Sequence, residues 1–144
     1  LPGMRILQFA FDLKESKGVY DPSNPFLPHN YTERCVAYTG THDNDTLAGW
    51  LDKASAQERG YLDRYLGYRS TDRVHALIRE LLKSTAAWVI IPLQDLLGLG
   101  SESRMNTPST VGGNWRWRVI DRQLKKSVFA SLKEITILYG RARN

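Results

Sequence analysis

The distribution of apolar and polar positions along the 144-residue chain predicts short buried strands separated by helices. Met4–Phe11 is a short run rich in apolar and aromatic residues, as expected of a buried strand. Cys35–Tyr38 is a second such run, and Ala86–Leu93 is a third. Continuous apolar runs are typical of strands that are covered on both faces. The pattern therefore favours a parallel sheet of the α/β class.

Helices are predicted between the second and third strands. Ser55 and Glu58 have the spacing of a capping box, which predicts a helix that ends near Leu66. Another helix is predicted to begin at Thr71 or Asp72. Its apolar face at helical spacing consists of Val74, Leu77, Ile78, Leu81 and Leu82.

Most of the remaining chain is predicted to be loop. Residues 12–34 contain three prolines among small polar residues, and residues 100–117 are polar without a regular pattern. A brief helical turn is predicted at 95–97, and a final helix over 121–143. The sequence contains no internal repeat and no clear linker, so we expect one domain over 1–144 with no second domain.

Polar side chains that could take part in catalysis or ligand binding follow each of the three predicted strands. Those candidates are Asp12 after the first strand, His42, Asp43 and Asp45 after the second, and Gln94, Asp95, Arg104, Asn106 and Asn114 after the third. Ligands of parallel α/β folds bind at the carboxyl ends of the strands. Three strands cannot close a barrel, which needs eight strands and about 250 residues. The pattern therefore predicts part of an active-site face on part of a barrel.

Composition narrows the class of protein. The chain is 42% hydrophobic and 24% charged, which is ordinary for a soluble globular protein and argues against disorder. The single cysteine, Cys35, excludes an internal disulfide and favours a reducing cytoplasmic location. The most apolar segment, Ala86–Leu99, is interrupted by polar residues, so no membrane partner is expected. The chain begins without Met and without a signal peptide, and we expect a truncated start.

The net charge of +5 could suit nucleic acid, but the basic residues are dispersed among acids. The residues that approach a cluster are Arg116, Arg118, Arg122, Lys125 and Lys126. The alternation Trp115-Arg116-Trp117-Arg118 could stack on nucleobases, or it could form an edge strand with the tryptophans inward. A solvated surface is the favoured interpretation of the charge and an edge strand that of the Trp-Arg stretch, so no nucleic-acid partner is expected.

Residues Thr39–Thr46, with the sequence TGTHDNDT, crowd two acids beside a histidine. Such a cluster could bind a metal, but His29 and His75 have no signature spacing to it, and no metal is expected. It could also cap a helix through Asp45 or Thr46. As a further alternative it could bind a sugar, because a carboxylate accepts from two vicinal hydroxyls while an imidazole donates to one.

Five separated motifs resemble the C-terminal part of the 4-alpha-glucanotransferase family, the amylomaltases of the alpha-amylase clan. In chain order they are PGMRILQFAF, NPFLPHNY, YTGTHDNDTLAGW, IPLQDLLGLGSESRMNTP and GNWRWR. The resemblance covers nearly the whole chain and implies an α/β fold, a (β/α)8 TIM barrel. The three predicted strands would be its sixth, seventh and eighth, and residues 1–144 would be the C-terminal portion of the catalytic barrel domain.

The resemblance also implies an activity without a cofactor. Family members move a 1,4-alpha-glucan segment between maltooligosaccharides, or to glucose, with retention of configuration. They use a nucleophilic Asp, an acid/base Glu and a third carboxylate that stabilises an oxocarbenium-like transition state. By motif, Asp43 matches that third carboxylate and His42 binds the same sugar ring. Phe9 matches an aromatic residue near the cleavage point, and Asn106 and Asp12 are expected to be further sugar contacts.

Two catalytic carboxylates of the family have no match in this sequence. The nucleophile belongs to an R-x-D-H type of segment, and the acid/base belongs to an E-D-L-G segment that precedes the chain. We therefore expect the chain to be inactive alone and to be completed by the missing N-terminal part of the same enzyme. A stand-alone glucan-binding module is the alternative, and a plastid is the alternative location. Ser109 follows Pro108 where the family usually has Gly, which is expected to alter that loop.

Overall fold

The computed structural model describes residues 3–13 and 18–142 and contains a three-stranded parallel sheet. The strands are β1 (Gly3–Ile6), β2 (Cys35–Tyr38) and β3 (Trp88–Ile90), with β2 in the centre. Met4 lies opposite Val36, which lies opposite Trp88. The three predicted parallel strands are thus confirmed, although the third is shorter than the predicted Ala86–Leu93. Within the described residues, no helix has the length and apolar character needed to cross a membrane.

The first strand is shorter than the predicted Met4–Phe11. It ends at Ile6, and the chain then winds into a short 3-10 helix over Leu7–Ala10. Ile6 pairs with Tyr38, the last residue of β2, so the two strands end together. Leu7, Gln8 and Ala10 of the 3-10 helix, and Phe11 after it, are buried, whereas Phe9 is exposed. The apolar run therefore indicated burial correctly but not strand conformation.

Three helices connect β2 to β3: α1 (Leu47–Lys53), α2 (Ala56–Leu66) and α3 (Arg73–Lys83). The predicted capping box is confirmed, because Glu58 N donates to Ser55 Oγ at 3.1 Å and Ser55 N donates to Glu58 Oε2 at 2.7 Å. Gly67, with φ of 77°, ends α2 in the left-handed region. Asp72 caps α3 by accepting a hydrogen bond from His75 N at 2.9 Å.

After β3 the chain forms α4 (Leu93–Leu96), two short 3-10 helices (Ser101–Ser103 and Asp121–Gln123) and α5 (Lys126–Leu138). The predicted final helix over 121–143 is therefore too long at both ends. Leu124, with φ of −81° and ψ of 64°, separates the 3-10 turn from α5. At the other end, Gly140 is in the left-handed region with φ of 66°, where a helix stops.

Arg141 fixes the segment that follows α5. Its guanidinium donates to the carbonyl oxygens of Leu82 at 2.6 Å, Ser84 at 2.6 Å and Ala86 at 2.9 Å. Leu82 and Ser84 stand at the end of α3, where carbonyl groups lack helical partners and a cation is favoured. This single side chain therefore holds the segment after α5 against the entry to β3.

The two faces of the sheet differ in what covers them. Cys35 and Ala37 project from β2 toward the helices and are buried. On the opposite face, the side chains of Met4, Trp88 and Ile90 are 53%, 67% and 45% exposed. The core of the described chain thus lies between the sheet and helices α1, α2, α3 and α5, and the second face is uncovered.

Candidate functional site

The β2 loop (residues 39–46) connects the central strand to α1 and carries the histidine and two of the acids. Asn44 Oδ1 accepts hydrogen bonds from Thr41 N at 2.9 Å and Thr41 Oγ1 at 2.8 Å, which closes a tight turn. His42 and Asp43 lie at the tip of this turn, with side chains 55% and 52% exposed. Thr46 caps α1, because its hydroxyl accepts from Gly49 N at 3.1 Å. The helix-cap interpretation is therefore confirmed for Thr46.

His42, Asp43 and Asn106 form one contact group. His42 Nε2 lies 3.4 Å from Asp43 Oδ1, and Asn106 Nδ2 donates to the same oxygen at 2.6 Å. The backbone N–H of Asn106 also donates to the carbonyl of His42 at 3.1 Å. Within residues 3–13 and 18–142, Asp43 Oδ2 accepts no hydrogen bond. One oxygen is oriented by the protein, and the other is available to a ligand.

Arg104 holds the backbone around this group. Its Nη2 donates to the carbonyl oxygen of Asp43 at 2.7 Å, and its Nε donates to that of Asn106 at 2.8 Å. The guanidinium therefore joins the tip of the β2 loop to the segment that follows the first 3-10 helix after α4. Because both acceptors are main-chain atoms, Arg104 fixes the position of Asp43 while leaving its carboxylate unpaired with a cation.

Trp115 adds an aromatic wall that the sequence did not predict. Its ring centroid lies 5.0 Å from that of His42, at an interplanar angle of 41°. Its φ of 64° is unusual for a bulky residue, and its N–H donates to the carbonyl of Met105 at 2.7 Å. Residues 114–118 lie in a loop and Trp115 is 54% exposed, so the edge-strand interpretation was wrong. The preceding Gly112-Gly113 pair was the available signal for a sharp turn.

Asp45, two residues after Asp43, has both carboxylate oxygens occupied by hydrogen bonds within the protein. Its Oδ2 accepts from Lys53 Nζ at 2.6 Å and from Ser101 Oγ at 2.8 Å, and its Oδ1 accepts from Thr46 N at 2.9 Å. Burial raises the pKa of Asp45, but the hydrogen bonds and the positive charge of Lys53 outweigh that effect. The pKa of this carboxyl is consequently lower than its usual value.

Asp95, which follows β3, is only 2% exposed and also has both oxygens occupied. Thr39 Oγ1 donates to its Oδ2 at 2.5 Å, and Leu47 N donates to its Oδ1 at 2.7 Å. Burial raises the pKa of Asp95, and the nearby negative charge of Asp45 adds to the increase. Of the three carboxylates that meet at this edge, only that of Asp43 is half-exposed.

A cavity of about 200 Å³ opens beside the β2 loop. Its charged and aromatic lining consists of His42, Asp45, Asp95, Arg104 and Trp115, and Gln94 adds an amide. Asp43 and Asn106 are not part of this wall, and their contact stands next to it. The described part of the chain contains no group of three His, Cys, Asp or Glu side chains that could hold a metal ion. The arrangement suits a polar, uncharged ligand with several hydroxyl groups.

Comparison with known proteins identifies the family. The family model described as 4-alpha-glucanotransferase matches residues 1–123. The chain belongs to the 4-alpha-glucanotransferase family. It is 48% identical to the 4-alpha-glucanotransferase of Synechocystis, covering 97% of this chain and 27% of that protein. It is 43% identical to the chloroplastic/amyloplastic 4-alpha-glucanotransferase of Solanum tuberosum, covering 97% of this chain and 24% of that protein.

A solved structure of the family has the same local fold. The amylomaltase from Streptococcus agalactiae in complex with acarbose matches with a TM-score of 0.89 and 36% sequence identity. The match covers 99% of this chain and 28% of that chain. The chain thus spans about a quarter of the length of the 4-alpha-glucanotransferases that it matches. The predicted family is confirmed, and so are three parallel strands with their helices as part of its fold.

The structure unites three of the five site residues that resemblance to the 4-alpha-glucanotransferases predicted, namely His42, Asp43 and Asn106. The other two lie at the same edge of the sheet, beyond the neighbouring strand. Phe9, in the 3-10 helix after β1, is 42% exposed and packs edge-on against Phe26 at 5.3 Å. Asp12 is half-buried, two residues beyond that helix.

The end of β1 is nevertheless joined to the β2 loop. Gln8 Nε2 donates to the carbonyl oxygen of Asp45 at 2.7 Å. Gly40 allows this approach, because a Cβ atom there would lie 2.8 Å from the same nitrogen of Gln8. Gln8, which precedes Phe9, is therefore held against the loop that carries Asp43. This contact fixes the end of β1 relative to the end of β2.

Proposed function

We propose that this chain is the C-terminal portion, strands six to eight, of the catalytic barrel of a 4-alpha-glucanotransferase. The enzyme would transfer a 1,4-alpha-glucan segment between maltooligosaccharides, or to glucose, with retention of configuration. The observation that carries the proposal is the half-exposed carboxylate of Asp43, with one oxygen oriented by Asn106 and the other available. Family membership supplies the chemistry that such a carboxylate serves.

Asp43 is proposed to stabilise the positive charge that develops on the sugar in an oxocarbenium-like transition state. A fixed, negatively charged oxygen performs this task without forming a bond. His42, 3.4 Å away, would donate to a hydroxyl of the same ring, and Asn106 would contact the sugar from the other side of the carboxylate. Phe9 and Asp12 are proposed as contacts from the neighbouring strand end.

The nucleophile and the acid/base are proposed to come from the rest of the enzyme, since no residues of this sequence match their motifs. The uncovered face of the sheet supports this arrangement. Met4, Trp88 and Ile90 expose apolar side chains there, as expected where further strands of a barrel would pack. We accordingly propose that residues 1–144 form one portion of a barrel domain, and that the chain alone is catalytically inactive.

The ligands under this proposal are neutral glucans and glucose, and no cofactor takes part in the double displacement. The cytoplasm is the proposed location. The Solanum tuberosum relative is named as chloroplastic/amyloplastic, which makes a plastid the alternative.

The decisive experiment substitutes Asp43→Asn in the full-length protein that contains this chain. Glucose release and transfer from maltotriose should fall by more than about 100-fold, because one transition-state interaction of this kind contributes about 3–4 kcal/mol. Asp52→Asn is the matched control, since Asp52 is an exposed acid on α1. Its turnover should be unchanged. A near-normal rate for Asp43→Asn would show that the stabiliser role is wrong.

A stand-alone glucan-binding module is the second candidate function. One observation favours it: the contact group of His42, Asp43 and Asn106 lies wholly within the chain, whereas two catalytic carboxylates have no match. Purified chain should release no glucose from maltotriose under either hypothesis. Isothermal titration with maltooligosaccharide separates them, because binding by the chain alone favours the module, and clear turnover contradicts both.

A further inference from the structure

Asp95 is a buried carboxylate that the proposed mechanism does not use. It is 2% exposed, and it has no positively charged hydrogen-bond partner among the described residues. Burying an ionised carboxylate without a cation costs several kcal/mol. The hydrogen bonds that the two oxygens of Asp95 accept must therefore offset this cost.

The two oxygens of Asp95 bind the two ends of one loop. Oδ2 accepts from the hydroxyl of Thr39, the first residue after β2, at 2.5 Å. Oδ1 accepts from the backbone N–H of Leu47, the first residue of α1, at 2.7 Å. Everything between these two anchors is the β2 loop, which carries His42 and Asp43 at its tip. A single carboxylate thus fixes where the loop leaves the sheet and where it enters the helix.

The helix that carries Asp95 also supports the opposite wall of the site. The neighbouring residue Gln94 donates through Nε2 to the carbonyl of Ser103 at 3.3 Å. Ser103 directly precedes Arg104, which holds the backbone of Asp43 and Asn106. Residues 94 and 95 of α4 therefore anchor both of the segments that meet at the Asp43 carboxylate.

We infer that Asp95 is a positioning residue that sets the location of Asp43 and His42 through its hydrogen bonds to Thr39 and Leu47. The inference rests on the proposed function, because it gives Asp43 a reaction to serve. Asp95 lines the cavity beside the β2 loop, but both of its oxygens are occupied by Thr39 and Leu47, so it acts through the loop and not on the sugar. Its effect on the rate is transmitted by the two ends of the β2 loop.

The test compares Asp95→Ala with Asp95→Asn in the full-length protein. An Asn amide can accept from Leu47 N and donate to Thr39 Oγ1, whose hydroxyl turns to accept, so both anchors survive. Ala removes both. For Asp95→Ala we expect kcat on maltotriose to fall by about 100-fold, the effect of roughly 1 Å of misplacement. For Asp95→Asn we expect a loss of at most about fivefold, the size of one ordinary hydrogen bond.

The distribution of the loss between kcat and KM separates positioning from general destabilisation. Because Asp43 acts in the transition state, Asp95→Ala should lower kcat far more than it raises KM. Arg141→Ala is the control for lost stability. Arg141 binds the carbonyl groups at the end of α3, which is remote from the site. When assayed well below its unfolding temperature, the variant should keep its kcat.

Asp43→Asn is measured in parallel so that the two proposals can fail separately. If Asp43→Asn retains its rate, the proposed function is wrong. If Asp43→Asn is inactive while folded Asp95→Ala keeps a kcat within about fivefold, the positioning inference is overturned. Should Asp95→Ala not fold, Thr39→Val tests the positioning inference instead, because it removes only the hydrogen bond between Thr39 and Asp95. Its kcat should lie between those of Asp95→Asn and Asp43→Asn, and an unchanged kcat would contradict the inference.

Discussion

Asp43 and Asp95 meet at the same edge of the sheet and have opposite environments. The Asp43 side chain is half-exposed, with one oxygen held by Asn106 and the other without a donor among the described residues. Asp95 is buried, and both of its oxygens are occupied by Thr39 and Leu47. The difference shows that an acid at this edge can keep hydrogen-bonding capacity after folding or use all of it within the protein, and only Asp43 keeps some.

Asp45 shows that the distinction holds even between residues two positions apart. Its side chain is only 10% exposed and receives three hydrogen bonds, from Lys53, Ser101 and Thr46. Burial raises the pKa of Asp95, whereas for Asp45 the hydrogen bonds and the positive charge of Lys53 outweigh burial and lower the pKa. Asp43, Asp45 and Asp95 thus have three different environments.

The largest effect on stability is expected from substitution of Asp95, whereas substitution of Asp43 should have little effect. Asp95→Ala should lower the free energy of unfolding by about 2–4 kcal/mol, because it leaves a hydroxyl and a backbone N–H buried without an acceptor. Asp43→Ala should change it by no more than about 0.5 kcal/mol, as expected at an exposed position. Urea denaturation of the full-length protein measures both. Equal losses for the two variants would remove the distinction between them.

Lys53→Met tests how much the ion pair between Lys53 and Asp45 contributes to stability. The free energy of unfolding should fall by about 1 kcal/mol at neutral pH, since the ion pair is exposed on the Lys53 side. The pKa of folded Asp45 is below 3.8, so its stabilisation is fully present above 3.8 and is lost as the pH falls through the folded value. The difference in unfolding free energy between Lys53→Met and the unmodified protein should therefore vanish in acid. A difference that persists there would exclude the ion pair as its source.

The pH dependence due to Asp95 should have the opposite sign. Because the pKa of folded Asp95 is above 3.8, folding favours its protonated form, and stability falls as the pH rises from 3.8 through the folded value. Asp95→Asn should remove this decline and flatten the profile of unfolding free energy over that range. Asp52→Asn, on the exposed surface of α1, should leave the profile unchanged. An unaltered slope in Asp95→Asn would mean that another group titrates.

The smallest effect is expected in the loop that follows Asn106. Ser109 has a φ of 62°, a conformation that Gly adopts without strain. Ser109→Gly should raise the free energy of unfolding by about 0.5–1 kcal/mol, and Ser109→Ala, which cannot adopt this φ more easily, should not. Differential scanning calorimetry resolves the two. If Ala stabilised as much as Gly, the backbone conformation would not be the cause.

Local sequence signals predicted the helix boundaries that depend on local contacts. The capping box of Ser55 and Glu58 and the cap at Asp72 are both formed as the spacing indicated. Each joins residues three positions apart, so the information lies within one turn of helix. By contrast, the apolar run at Met4–Phe11 did not indicate where β1 stops, because burial alone does not distinguish a strand from the 3-10 helix that continues it.

By itself the sequence determined the α/β class, the three parallel strands and, through five motifs, the 4-alpha-glucanotransferase family. Only the tertiary structure decided which acid of the cluster faces outward and that Trp115 packs beside His42. The contacts responsible are remote in sequence: Thr39 and Asp95 are 56 residues apart, and Asp43 and Asn106 are 63 apart. Periodicity and spacing act over one or two turns, whereas these carboxylates receive their donors from segments that only the folded sheet brings together.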